Sequence, residues 1–250
     1  MSEESTARFF EFHSGAVDEG DLLVIKLEGE EAISKPFRFE LELVSTRHDL
    51  DYDELLRQGC WIGLRKGVRL AEGRKGLTTL KVHGAITSIR QIEKRFEWAK
   101  YHVVMKPRLW RLSMTVQSRI FLERSVPEIV EEVLADGEFT GLDYEMRLAG
   151  EYAPREYTVQ YRESDLNFIS RLLEHEGIFY FFEHDKDNHL LVFADSAGIY
   201  KPIDGEKNDD NQVEIKFRPG GGMVTTEETI HTVARSRQIS LGKVSLKDFN

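Results

Sequence analysis

Eight histidines, one cysteine and 44 acidic residues give this 250-residue chain the raw material for metal or acid–base chemistry, so spacing decides. His175 stands between Glu174 and Glu176, and His184 and His189 flank a turn containing Asp185 and Asp187. A metal centre needs ligands converging on one point, and neither HExxH nor paired CxxC spacing occurs. His184 and His189 are therefore expected as solvated residues of an exposed turn. His175, near a helix end, is expected to meet the negative end of the helix dipole. The carboxylate pairs Asp53–Glu54, Glu131–Glu132 and Asp209–Asp210 are adjacent in sequence. Glycoside hydrolysis instead needs two carboxyl groups facing each other across about 5–9.5 Å.

Cys60, beside Trp61 and Ile62 in QGCWIGL, reads as a buried apolar thiol and not as a nucleophile. A lone cysteine forms no internal disulfide, which fits synthesis in a reducing compartment. There is no GxSxG elbow. The glycines and lysine of GRKG at 73–76 lack the order of a phosphate loop and read as a hairpin turn. Lys100, Lys106, Arg108 and Arg111 interleave with Tyr101 and Trp110, a pattern shared with single-strand nucleic-acid platforms. The net charge of −10 argues against phosphate neutralisation and against anionic lipid surfaces, so these side chains read as strand residues facing water. No catalytic residue, metal ligand or cofactor is assigned.

The elements that would position any site are clearest between Tyr157 and Asp195. Val159 and Tyr161 alternate with Gln160 and Arg162, which predicts a half-buried strand. Ser164 or Asp165 caps a helix whose Leu166, Ile169, Leu172 and Leu173 share one face, and Gly177 ends it. Ile178–Phe182 is a strand, Glu183–His189 a polar turn and Leu190–Phe193 the returning strand. Consecutive strand residues point to opposite faces, so Phe179, Tyr180, Phe181 and Phe182 require cover on both. They are candidates for core or for a subunit interface.

Upstream, Phe37, Phe39, Leu41 and Leu43 alternate with charged residues, the clearest period-two pattern in the chain. Leu22–Glu28, closed by Gly29, Trp61–Leu64, Leu80–Ile89 and two strands within Phe96–Leu112 complete a series of short strands. Their spacing indicates a closed antiparallel sheet, sandwich or barrel. Leu50–Gln58 is a short helix. Ser125-Val-Pro-Glu128 is a capping box opening a helix with Ile129, Val130, Val133 and Leu134 on its apolar face. Residues 138–156 read as an irregular connection, and 204–211 as a charged loop. Strand character returns after Met223 and runs up to Asn250 in mid-pattern. Either the polypeptide continues beyond that point or another chain completes the sheet.

The strand QYRESD, the helix NFISRLLEHEG and the hairpin entered through GIFYFF resemble the VgrG family. These are type VI secretion spike proteins related to phage baseplate hubs. Weaker likeness extends over FRFELELV, HGAITSI, Tyr101–Leu112 and QISLGKVSLKDF. The resemblance implies a β-rich α+β fold: an antiparallel β-barrel over residues 8–118, an α+β insertion over 119–195, and a flexible loop with an incomplete second barrel over 196–250. It implies a non-enzymatic hub that forms a homotrimer, caps a hexameric Hcp tube and delivers effectors. Such a protein would assemble in the cytoplasm and leave without a signal peptide. MSEESTARFF lacks the charged and apolar regions of a Sec signal, and no run approaches ~20 apolar residues. The alternatives are a phage or prophage hub and an adaptor for effector proteins, with a peptidoglycan hydrolase disfavoured.

Overall fold

The alternation at Phe37–Leu43 builds strand β3 (Lys35–Ser45), with all four apolar side chains buried. Its neighbours are β2 (Leu23–Ala32) and β6 (Ala99–Lys106), both antiparallel, so Leu41 lies opposite Leu27 on one side and Val103 on the other. With β1 (Phe10–Ser14), β4 (Gly59–Arg69) and β5 (Lys75–Lys94) they make a six-stranded sheet in the order β1-β4-β5-β6-β3-β2. Register shifts at Val24/Lys26, Glu30/Ala32, Ile86/Ser88 and Gln91/Glu93 interrupt the ladders. Such bulges bend and twist strands, and the sheet curls into a half-barrel with β1 and β2 as its edges. The concave core holds Phe12, Phe37, Leu41, Leu43, Ile62 and Met105. A short helix, α1 (Tyr52–Arg57), adds Leu55 and is capped by Asp51, whose carboxylate accepts from the Glu54 N–H at 3.0 Å.

This computed structural model describes residues 10–69, 75–200, 213, 215, 217–218, 230 and 232–237. Two expectations about the sheet need correction. Strand β2 runs through Gly29 instead of stopping there, because the glycine makes room for a ring: a Cβ at that position would lie 2.3 Å from Phe39. After β6 the chain turns into a 3-10 segment, Arg108–Ser113, and not a second strand. Pro107, with no N–H to donate, stands at its N-cap, and Leu109 and Leu112 turn into a second core.

That second core belongs to the α+β part. Helix α2 (Val126–Asp136) opens as expected, with Glu128 accepting from both the Ser125 N–H and its hydroxyl at 2.7 Å. Helix α3 (Asp165–Glu176) starts where the Ser164 hydroxyl accepts from the Asn167 N–H at 3.2 Å. It ends at Gly177, which takes φ +73°, a conformation that disfavours any side chain. Ile129, Val130, Val133 and Leu134 of α2 meet Phe168, Ile169, Leu172 and Leu173 of α3, each fully or almost fully buried. Each such side chain stabilises by about 1.5–3 kcal/mol. Leu166 is only partly buried, and Phe168 takes the place expected for it.

Around the helices lie two small sheets. Strands β7 (Val116–Arg124) and β9 (Arg155–Ser164) form an antiparallel ribbon. Strands β8 (Tyr144–Arg147), β10 (Phe179–His184) and β11 (His189–Ala194) form the other, in the order β10-β11-β8 with β8 parallel to β11. The expected irregular connection over 138–156 thus contains a strand. Tyr-Glu-Met-Arg is too short to display a period, and its pairing with Leu191–Ala194 is long-range.

The chain divides into two units, one of Met1–Val68 and Leu77–Lys201, the other of Arg69–Gly76 and Pro202–Asn250. In the second unit Phe217 pairs with Ile230 in parallel, and the Arg218 N–H donates to the Ile230 carbonyl at 2.8 Å. The expected loop over 204–211 and the strand over Val244–Phe249 lie outside the described residues, as do Gly73 and Arg74 of the GRKG turn. Among the described residues no helix is long and apolar enough to cross a membrane.

Candidate functional site

The ribbon β7–β9 keeps the period of two, but it turns its apolar side chains outward, the reverse of the usual strand on a core. Gln160 is 0% exposed and points at the helices, whereas Val159 and Tyr161 point outward. On the inner face Phe121 stacks on Phe168 of α3 with ring centroids 5.5 Å apart. Beside it, Asp165 at the start of α3 is buried and collects polar partners. The Gln160 amide donates to its Oδ1 at 2.8 Å, the Gln117 amide to its Oδ2 at 3.3 Å, and the Arg119 guanidinium to its Oδ1 at 3.3 Å. Arg119 also donates to Gln160 Oε1 at 2.8 Å and pairs with Asp136 of α2. A buried carboxylate is tolerated only with such partners. The inner face is polar because Asp165 has to be satisfied there.

The outer face is therefore left apolar. Register places Ile120 opposite Val159, Leu122 opposite Tyr157 and Ser118 opposite Tyr161. Together with Val116, these five apolar residues of the ladder are each 40–65% exposed. Their exposed side-chain area is on the order of 500 Å², the upper end of what a monomer carries as one apolar patch. Arg124 and Arg155 pair at one end, and the Arg162 guanidinium lies 5.3 Å over the Tyr161 ring at the other. The surface is a bare sheet face framed by arginines.

The aromatic hairpin is disposed differently. Tyr180 and Phe182 point inward. Tyr180 is buried against Phe193 in the α+β core, and burial pushes its phenol up to about 12. Phe182 touches both cores and meets Phe37 of β3 edge-on at 5.1 Å. The Ser34 N–H donates to the Tyr180 carbonyl at 2.8 Å, tying the hairpin to the turn before β3. Phe179 and Phe181 face the other way, half-buried; Phe179 stacks on Phe181 at 6.3 Å and on Tyr200 at 5.6 Å, and Phe181 meets Tyr200 at a tilt at 6.1 Å.

The hairpin histidines are not solvated. Strand β10 extends through His184, opposite His189, and both pack on Phe37. The His184 side chain is 8% exposed, and neither of its ring nitrogens has a hydrogen-bond partner. Burial, reinforced by neighbouring imidazoles, holds both groups at about 4, so they are neutral near pH 7. His83 of β5, next to the same turn, is also lowered by burial. Turn residues in sequence thus became core residues, because the hairpin lies against the half-barrel.

The remaining chemistry-bearing residues stay apart. Among the described residues no group of three or more His, Cys, Asp or Glu could hold a metal ion. Cys60 is buried, its thiol aimed at the Gly84 carbonyl at 3.5 Å and pushed by burial up to about 12. His175 is exposed and accepts from Arg155 at 2.8 Å, and that arginine also pairs with Glu176. Glu54 pairs with Arg57 on α1, Glu131 and Glu132 are exposed on α2, and Asp209–Asp210 lie outside the described residues. Lys100 pairs with Glu42 at 3.1 Å, and Lys106 lies 4.9 Å over Trp110.

A half-barrel sheet joined to an α+β unit defines the class, a β-rich α+β fold. Residues 30–250 match the family model for the phage tail baseplate hub (GPD), and the chain belongs to that family. It is 42% identical over 231 residues to the type VI secretion system spike protein VgrG5 of Pseudomonas aeruginosa, covering 92% of this chain and 27% of that protein. To VgrG1b of the same organism it is 32% identical over 225 residues, covering 90% and 28%. The chain thus spans under a third of the length of these relatives. Among solved structures, the E. coli c3393 protein, a component of the type VI secretion system with similarity to the T4 tail proteins gp27 and gp5, superposes with a TM-score of 0.66. That match is 28% identical over 76% of this chain and 50% of the other.

Proposed function

We propose that the chain is the hub part of a type VI secretion spike, working by shape and contact and not by turnover. In this reading copies of the chain form a homotrimer that docks on a hexameric Hcp-like tube and helps carry effector proteins. A ring of three uses head-to-tail contacts that close. The bare apolar ladder of β7–β9 is the observation that carries the reading, because a free monomer has no use for it. Phe179 and Phe181 are proposed as a second contact, with Tyr180 and Phe182 serving as core.

Residues 8–118, 119–195 and 196–250 are proposed as three successive domains, the last contributing to a second barrel. Assembly in the cytoplasm followed by export without a signal peptide fits the same reading. Light scattering after size exclusion, with pull-down on assembled Hcp tubes, tests it. A trimer that binds tubes is expected; a monomer indifferent to them would refute docking by this part of the protein. A phage-tail hub is the second reading, favoured by the family match itself. Preferential capture by a phage tail tube over an Hcp tube would select it.

A further inference from the structure

Between the half-barrel and the α+β part lies an open cleft of about 790 Å³, within the size range of ligand sites. Its charge runs against that of the molecule. The chain carries a net −10, yet Arg57, Lys81, Arg108, Arg111 and Lys186 line the cleft against only Asp143 and Asp187. Three of these cations are already engaged: Arg57 with Glu54 at 3.2 Å, Arg108 with Asp143 at 2.9 Å and Arg111 with Glu138 at 3.6 Å. Lys81 and Lys186 have no carboxylate partner among the described residues. Lys81 is held instead over the Trp61 ring at 4.1 Å, whose other neighbour, His13, stacks on it at 3.8 Å.

Leu56, Trp61 and Phe182 bring partly exposed apolar side chains to the cleft, with the buried Leu109, Phe139 and Leu191 behind them. We infer that this cleft binds an extended acidic peptide segment with apolar side chains. The cations come from α1, β5, the 3-10 segment and the β10–β11 turn, so they surround the cleft instead of converging. Spaced carboxylates along a chain match that layout, whereas a single phosphate would need donors focused on one point. An apolar lining supplies contact area that a small anion would waste. A positive cleft in an acidic protein also concentrates acidic partners at its mouth.

The test uses the full chain and a fluorescein-labelled octapeptide of alternating Glu and Phe, followed by anisotropy. Saturable binding that weakens with salt is expected. The pair Lys81→Glu and Lys186→Glu should weaken it by about ten-fold or more. Lys26→Glu with Lys35→Glu, the same charge change at exposed lysines that do not line the cleft, should lower affinity far less. Circular dichroism verifies that both variants fold. No saturable binding, equal binding of a Lys/Phe octapeptide, equal loss in the two double variants, or displacement by millimolar inorganic phosphate would each overturn the inference.

Discussion

The ribbon β7–β9 and the hairpin β10–β11 are both antiparallel pairs rich in aromatic and branched residues, and they solve the problem of two faces in opposite ways. The hairpin turns Tyr180 and Phe182 into two cores at once and leaves Phe179 and Phe181 half-covered by Tyr200. The ribbon spends its inner face on a polar network around Asp165 and leaves its apolar face bare. The contrast teaches that apolar alternation locates a strand but does not say which way it faces. That is decided by the neighbour with the most demanding chemistry. A buried carboxylate without donors costs more than an exposed Val or Tyr.

The comparison breaks first at the hairpin. Phe193→Ala, in the middle of β11 and 0% exposed, should cost about 3–5 kcal/mol in urea unfolding. Acid should act on the same element. The folded value of His184, about 4, lies below its ordinary 6.5, so the unfolded chain takes up the proton first as pH falls. Stability that is full above about 6.5 is then lost progressively down to about 4, by as much as about 3 kcal/mol for this one imidazole. His184→Gln should flatten the profile between pH 6.5 and 4; an unchanged acid limb would mean that other groups set it.

The ribbon's network comes next. Gln160→Leu removes the amide that bridges Arg119 and Asp165, and an expected loss of about 2–3 kcal/mol should be readable by thermal unfolding. A loss under ~0.5 kcal/mol would mean that the network does not decide which way the ribbon faces. The smallest effect on folding belongs to the outer ladder. Leu122→Ser with Tyr157→Ser should change the stability of the monomer by no more than about 0.5 kcal/mol per site. The same pair should abolish the proposed trimer, read out by light scattering. Loss of fold instead would mean that the ladder is core.

Much of the fold was legible because its signals are local. The β3 alternation, the Ser125–Glu128 capping box, the Ser164 cap and Gly177 each act within a few residues, and each stands where its chemistry places it. Strand β8 and the 3-10 segment after Pro107 were not legible. The first rests on parallel pairing across more than forty residues, the second on leucines reaching a core formed later in the chain. Which face of the ribbon looks outward was not legible, because alternation alone leaves it open. A usable hint was present in Arg119 and Asp165, two opposite charges whose partners had to lie on the inner side.

What the sequence determined by itself is the alternation of β3, the starts of α2 and α3 and the stop of α3 at Gly177, since hydrogen-bond caps and side-chain periods are properties of neighbouring residues. What only the tertiary structure decided is the direction each face looks: Val159 and Tyr161 out, Gln160 in, His184 and His189 under the half-barrel. Direction depends on the desolvation of groups far apart in the chain, and that free energy has no value until those groups meet.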